Sequence, residues 1–462
     1  MSMAALEQCL KSGGRAHLVG IGGVSMSALA EVLWSQGISI TGSDSQESRN
    51  TQRLRARGIP VTIGHFPETV RGASYIIRTA AVRDDNVEIM AARAAGIPVF
   101  ERAEAWGYIM RAYANAVCIA GTHGKTTTTS MSAHIFLAAG ADPTVMVGGT
   151  LSTLNAAYRV GKGDTIILES CEYYNSFHNF SPTIAVILNI EADHLDFFKD
   201  LEDIKKSFRT FAELVPPHGC VVYNADDKST VDAMRGIARP VLTFGMGEGA
   251  DVRAQAVAYY ETGSEFDVLV RGKLYCHVTL HVPGRHNVMN ALAAIAAAYH
   301  AGVPGRAVEE GLASFYGAGR RFEYKGVFNG ARVYDDYAHH PSELKALLDA
   351  VAAMPYRRTI LVFQPHTYTR TYKLFDDFLA QLRRPDVVLL AEIYAAREKN
   401  TIGISSKELA DKLPNARYCA TFDEIEAALR AMAREGDIIL TVGAGDIVKV
   451  GERLVAPAQE AI

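Results

Sequence analysis

The stretch Cys118–Met131, CIAGTHGKTTTTSM, constrains this chain more than any other. A short apolar, partly β-branched run, Ala116–Ala120, leads into it, and Met131, Ile135 and Ala138 follow at helical spacing before Gly140. Strand, glycine turn and helix in that order present backbone N–H groups to an anion. The usual phosphate loop reads G-x-x-x-x-G-K-[ST], but here only Thr122 and His123 separate Gly121 from Gly124-Lys125-Thr126. Glycine and β-branched residues are poor helix formers, so G-K-T-T at a helix start points to a ligand. Lys125 would supply a point charge to the β/γ-phosphates, and the Thr126 hydroxyl a ligand to magnesium.

Short apolar runs alternate with helical patterns along the rest of the chain, the signature of parallel βαβ construction. One block contains AHLVGIGGVSMSALAEVLWSQG, ISITGSD and ASYIIRTAAV. A second opens at Ala116 and includes DTIILES and TIAVILNIEADH. A third carries ARVYDDYAHHP, RTILVFQPH, DVVLLAEIY and DIILTVGAGDI. With 462 residues the chain exceeds what one core usually organises. The blocks divide it near Asn115 and Gly317, giving expected domains 1–115, 116–317 and 318–462.

A net charge of -4 gives no global basic footprint for nucleic acid. The six cysteines are scattered without a C-x-x-C pair, which argues against a zinc site or a disulfide framework and fits a reducing compartment. No segment approaches 18 uninterrupted apolar residues and no signal core precedes the first glycines, so a cytoplasmic protein without membrane partner is expected. Oligomeric state is not legible.

The first glycine turn, Gly20-Ile21-Gly22-Gly23-Val24-Ser25, approximates G-x-G-x-x-G, with Ser25 in the third glycine's place. Asp44 follows about 20 residues later, where such folds hold a ribose hydroxyl. The turn suits NAD, FAD or a UDP-sugar diphosphate; a nicotinamide oxidoreductase would leave the second loop unexplained. Metal chemistry is suggested at the centre. Glu169 and Glu172 close one predicted strand, and Glu191, Asp193 and His194 close another. Side chains at the carboxyl ends of neighbouring parallel strands converge on one crevice. Histidine is an unusual magnesium ligand, because hard cations favour oxygen.

The ordered motifs AGTHGKTTT, ESCE, NIEADHLD, PGRHNVMNALAA, GAGRRFE, VYDDYAHHP and FQPHTYTRT resemble the bacterial Mur ligases, whose own phosphate loop is the shortened G-T-x-G-K-T. The resemblance implies an α/β protein of three domains: a Rossmann-like N-terminal domain for a UDP-sugar, a central P-loop ATPase domain and a Rossmann-like C-terminal domain for an amino acid. VGIGGVSMS, DDYAHHP and FQPH are closest to the branch that joins L-alanine to UDP-N-acetylmuramate through an acyl phosphate, with ATP and two magnesium ions.

By motif match, Gly121, Thr122, His123, Gly124, Lys125, Thr126, Thr127, His286, Asn290, Arg321 and Asp336 would hold ATP. Thr126, Glu169 and His194 would hold metal, and Lys125, Glu169, His194 and Arg321 would carry the chemistry. Gly22, Gly23, Ser25, Met26, Asp44 and His65 would receive the UDP-sugar; Tyr337, His339, His366 and Arg370 would receive alanine. Thr367 stands where a well-known branch has arginine, which leaves Arg370 as the expected carboxylate anchor. Several relatives use a carbamylated lysine; Phe208 occupies that place by spacing, so no such modification is expected, and Lys205 and Lys206 read as helix-surface lysines. A recycling branch that joins a tripeptide to the same UDP-sugar reads E-P-R-S where this chain reads Phe363-Gln364-Pro365-His366. Folylpolyglutamate synthetase shares the ATP domain but lacks the UDP-sugar domain.

Overall fold

A computed structural model describes residues 3–151, 156–396 and 398–456. Three sheets succeed one another along the chain. The first is parallel, in the order Val61–Ile63, Ile40–Asp44, Ala16–Val19, Tyr75–Arg78, Val99–Glu101. The second has ten strands, and at its middle Asn115–Ala120 lies between Ile184–Ile187 and Thr165–Glu169, all parallel. The third has Ala331–Asp336, Asp437–Val442, Arg358–Phe363, Val387–Leu390 and Ala416–Tyr418 in parallel, with Glu323–Phe328 antiparallel at one edge. Central strands such as Asp437–Val442 are buried throughout, as expected where helices cover both faces.

The alternating βα reading holds for the sheet centres but misses their antiparallel edges. Val252–Tyr260, Gly263–Val270 and Lys273–Leu280 form a meander, and Thr144–Leu151 pairs antiparallel with Ala156–Arg159. The phosphate-loop helix, Lys125–Ala138, is not the amphipathic stripe its spacing suggests. It packs between helices Arg285–His300 and Gly305–Ala313 and is buried from Thr126 to Phe136. Close packing of that kind needs small residues: a Cβ on Gly311 would fall 2.6 Å from the Ile135 Cα.

Cores are shared unequally. One apolar cluster runs from Leu6 to Met234, joining the first sheet's helices to the second sheet. The two clusters of the third sheet contain only residues from Ala331 onward. Phe208 is fully buried with its ring edge against Phe177, an aromatic core contact. Lys206 is exposed, and Lys205, half-buried on the same helix surface, bonds Glu202 at 2.7 Å. All six cysteines are free, and among the described residues no helix is long and apolar enough to cross a membrane.

Candidate active site

Gly124 caps the phosphate-loop helix in the left-handed conformation, φ 84°, and a Cβ there would lie 2.4 Å from Asn290 Oδ1. Glycine is therefore required both by backbone angle and by space. Lys125 Nζ folds back onto the loop, donating to the carbonyls of Gly121 (2.5 Å) and Thr122 (3.1 Å) and to both Glu172 oxygens at 3.0 and 3.1 Å. Burial opposes its charge, yet Glu172 and Glu169 together raise its pKa. Thr126 Oγ1 donates to Glu169 Oε2 at 3.0 Å, and the Gly148 N–H donates to the same oxygen at 2.7 Å.

His194 stands across Glu172, its Nε2 3.7 Å from that carboxylate, with its ring stacked on Tyr173 at 4.4 Å. Burial lowers its pKa despite Asp193 and Glu172, leaving a neutral imidazole with a lone pair to offer. The structure thus brings Lys125, Thr126, Glu169 and His194 to one end of the central sheet.

A cavity of about 640 Å³ opens beside them, walled by Gly124, Thr127, His286, Asn290, Arg321 and Asp336. These residues come from both sides of the seam between the second and third domains. Burial, reinforced by Arg321, pushes His286 down to about 4. Burial raises Asp336 to about 6 even with Arg321 nearby. Its two oxygens accept the Phe322 and Ala338 N–H groups, each at 2.8 Å, so this carboxylate also shapes the loop that carries Arg321.

The residues expected to receive alanine gather on the third domain's side of the same seam. Tyr337 lies under Arg320 and Arg321, 4.9 and 5.3 Å from ring centre to guanidinium. His339 is pushed down to about 4 by burial, and its ring centre is 5.6 Å from that of His366. Arg370 does not present the free fork the sequence suggests. Its Nη2 and Nε donate to Asp193 Oδ1 at 2.8 and 3.1 Å, and its Nη1 lies 3.1 Å from His366 Nδ1. A carboxylate as buried as Asp193 needs a cation, and Arg370 holds it well below its usual range.

The first glycine turn is built from its own domain. Gly22 N–H donates to Asp44 Oδ2 at 2.8 Å, and Trp106 Nε1 donates to Ser25 Oγ at 3.0 Å. Gly23 caps helix Val24–Ser35 with no side-chain hydrogen bond to the turn. The Met26 side chain is in the core, so only its backbone can face a ligand. His65 is not an independent contact either. Its Nδ1 lies 3.0 Å from Glu88 and 3.2 Å from Ser43 Oγ. Glu88 itself is buried, and hydrogen bonds from His17, Ser43, Thr69 and His65 overcome that burial and lower it to about 2.

Sequence reasoning named Glu172 and Asp193 only as strand-end carboxylates for metal and missed their pairing with Lys125 and Arg370, and it did not single out His340 or Glu343. Glu343 accepts the His339 and His340 N–H groups at 2.8 and 3.2 Å and lies 3.1 Å from His123 Nδ1. Burial disfavours a charged His123, but Glu343 and Glu191 raise it to about 9. The readable signal was H-P-S-E, a helix start whose third residue folds back on the cap.

Three family models match in succession: Mur ligase family, catalytic domain, over residues 15–114; Mur ligase middle domain over 119–298; and Mur ligase, glutamate ligase domain, over 320–445. The chain is 45% identical over 453 residues to a UDP-N-acetylmuramate–L-alanine ligase of Caldanaerobacter subterraneus subsp. tengcongensis, covering 97% of this chain and 98% of that one. To its counterpart in Clostridium novyi it is 46% identical over 442 residues, 95% and 96% of the two chains. The solved UDP-N-acetylmuramate-alanine ligase of Thermotoga maritima is similar at TM-score 0.78 and 31% identity, over 96% of this chain and 98% of that one.

Proposed function

The chain belongs to the Mur ligase family, and from that premise we propose that it joins L-alanine to the lactyl carboxylate of UDP-N-acetylmuramate, converting ATP to ADP and phosphate. The reaction belongs to peptidoglycan precursor synthesis, and we place it in the cytoplasm. Residues 1–115 would bind the UDP-sugar, 116–317 the nucleotide and 318–462 the amino acid.

A carboxylate is a poor electrophile, and phosphorylation supplies its leaving group. The lactyl oxygen attacks the γ-phosphorus, ADP departs, and the alanine amine then attacks the acyl carbon. The C–N bond forms as the C–O bond to phosphate breaks, and the departing phosphate can take the amine's proton. Such transfers depend mainly on positioning and charge neutralisation. Lys125 would leave the loop carbonyls for the phosphates, and Arg321 faces the cavity from the other side of the seam. Thr126 Oγ1 and Glu169 offer two hard oxygens 3.0 Å apart, the donor type magnesium takes. His194, neutral and nearby, would serve a second ion. Held by these residues, magnesium would supply charge neutralisation to the transferred phosphoryl. His286 and Asn290 would flank the adenine and Asp336 the ribose.

Alanine would enter where Tyr337, His339, His366 and Arg370 meet the end of the central sheet. Because Asp193 occupies Arg370, the incoming α-carboxylate must share or displace that partner. Gly22, Gly23, Ser25 and the Met26 backbone would take the diphosphate, with Asp44 toward the uridine.

The observation that carries this reading is that residues as distant in sequence as Gly124, His286, Arg321 and Asp336 wall one cavity directly beside Lys125. Phosphate release from ATP in the presence of UDP-N-acetylmuramate tests it, with L-alanine and the recycling branch's tripeptide compared as acceptors. Release should depend on L-alanine. Dependence on the tripeptide alone would move the chain to the recycling branch, and release with neither would remove the ligase reading.

A further inference from the structure

We infer that His123, Glu191 and His340 form a transition-metal site of the zinc class, placed at the seam between the second and third domains and separate from the Thr126–Glu169 pair. One donor atom from each lies within 4.8 Å of the others, and among the described residues no other trio of His, Cys, Asp and Glu converges so closely. Glu191 Oε2 is 3.4 Å from His123 Nε2 and 3.7 Å from His340 Nδ1. Tetrahedral zinc, with bonds of about 2.0–2.1 Å, holds its donor atoms roughly 3.3–3.5 Å apart. Both distances from the carboxylate are therefore within a few tenths of an ångström of a coordinating arrangement, and closing the site asks only that the two imidazole donors, within 4.8 Å of each other, settle around the ion.

The surroundings match what such a site needs. Ser342 Oγ sits 2.9 Å from His123 Nε2 and 2.7 Å from His340 Nδ1, so the space between the two imidazoles already accommodates an oxygen. That hydroxyl could stay as a fourth donor or rotate away for water. Behind His123, Glu343 Oε1 lies 3.1 Å from Nδ1 without a hydrogen bond between them, and a small turn of either side chain would give the carboxylate–imidazole backing that metal-bound histidines usually have, with Nε2 facing the metal. His340 is buried, its Nε2 has no hydrogen-bond partner, and its Nδ1 accepts the Ser342 N–H at 3.4 Å, a long cap bond that coordination would replace. Two imidazoles in a three-donor set suit zinc, cobalt or nickel far better than magnesium, which favours a shell made mostly of oxygen.

The donors come from three elements: His123 from the phosphate loop, Glu191 from beyond strand Ile184–Ile187, and His340 from the cap of helix Pro341–Ala352. An ion there would tie the phosphate loop to the third domain and oppose separation of the two.

The test is direct metal binding to the full-length protein after chelator treatment, read by zinc competition with a chromophoric chelator and by the visible spectrum of added cobalt(II). One equivalent of zinc and the intense bands of tetrahedral cobalt are expected. Glu191→Gln, which keeps the side chain's shape, and His340→Asn, which keeps a helix-capping acceptor, should each weaken binding at least about a hundredfold. Glu343→Gln should weaken it about tenfold, the usual cost of losing an outer partner. His194→Ala should leave it unchanged. Zinc retained equally by both ligand variants, zinc lost in His194→Ala, thiolate bands in the cobalt spectrum, or no zinc bound at all would overturn the site. Circular dichroism of each variant separates lost binding from lost fold.

Discussion

The two seams of this molecule are made of different material. Between the first and second domains, helix Val24–Ser35 packs on strands Thr144–Leu151 and Ala156–Arg159, and helix Arg102–Met110 packs on the turn Tyr173–Asn179, within one apolar cluster whose main polar ties are the buried Tyr158 hydroxyl donating to Glu31 and Arg53 lying over the Tyr158 ring. Gly107 marks how close that approach is: a Cβ there would fall 1.8 Å from the Asn179 carbonyl oxygen. Between the second and third domains the ties are polar: Asp193 to Arg370 at 2.8 Å, the Leu195 carbonyl to Lys373 at 2.9 Å, Glu261 to Arg332 at 3.0 Å and His123 to Ser342 at 2.9 Å. Apolar burial is non-directional and has no substitute in water. Ion pairs and hydrogen bonds can be exchanged for water or for a ligand at little net change. The first seam should therefore stay shut while the second opens and closes. The candidate ATP and alanine sites lie on the second.

The largest effect should come from the polar seam's floor. Lys125→Ala removes the cation that Glu172 now holds and that the phosphates would need, so ligation should fall at least about a thousandfold, or ~4 kcal/mol in the barrier. Binding of the UDP-sugar, assigned to the first domain, should hardly move. Ligation at near wild-type rate would remove the phosphate-loop assignment, and equal loss of sugar binding would mean that the two seams are not independent.

Arg370→Lys probes the tie itself. The variant keeps a charge but cannot reproduce the Nε and Nη2 contacts to Asp193 together. One charge-assisted hydrogen bond contributes about 1.5–3 kcal/mol, so the half-saturating alanine concentration should rise roughly tenfold to a hundredfold, with ATP and UDP-sugar saturation unchanged. A selective fall in turnover instead would make Arg370 a closing tie and not an alanine anchor. The pair also has an acid limit. Asp193 is depressed in the folded protein, so its contribution is fully present above the unfolded value of about 3.9 and is lost as pH falls through the lower folded one. Assays near neutrality should therefore see the tie fully formed, and ligation should not titrate with it above about pH 5.

The apolar seam is tested by crowding it. Gly107→Ala drives a methyl into the Asn179 carbonyl, and overpacking of this kind costs about 1–3 kcal/mol. The melting temperature should fall by a few degrees while the Michaelis constants at low temperature stay near wild type. If alanine or ATP saturation shifts as much as stability does, the first seam moves during turnover and the contrast between the seams is wrong.

The contrast also explains what could be read from sequence. Runs such as AVCIA, IAVI and DIILTV announce themselves because a strand buried on both faces is continuously apolar. The meander at Val252–Leu280 alternates instead, and one of its turns rests on Arg271 and Gly272, both at positive φ, with no Asn-Gly to mark it. Site residues that belong to a local motif, such as Lys125 and Thr126, are visible in a single stretch. The partners are not. Asp193–Arg370 spans 177 positions and His123–Ser342 spans 219, so nothing local in either segment encodes the pairing. The seam that carries the chemistry is thus the part of the fold that sequence pattern describes least.

The smallest effect is expected at the first glycine turn, where Asp44→Asn tests whether the sugar site is insulated from the polar seam. Asp44 Oδ2 accepts the Gly22 N–H, and Oδ1 accepts that of Gln46 at a longer 3.3 Å, so asparagine can keep the turn's main bond through its carbonyl oxygen. What it loses is the charge that would accept a hydroxyl of the uridine ribose. A hydrogen bond to a neutral acceptor contributes about 1 kcal/mol less than one to a charged acceptor, so the half-saturating UDP-N-acetylmuramate concentration should rise only about fivefold. Removing a carboxylate beside a diphosphate also relieves repulsion, which holds the change to that size or below. ATP and alanine saturation should not respond, because the hydrogen bonds of Gly22, Ser25 and Asp44 with Gln46 and Trp106 and with one another stay within the first domain. An unchanged or improved sugar affinity would give Asp44 a purely structural role in holding Gly22. A parallel shift in ATP or alanine would show that the first domain reports to the second seam after all.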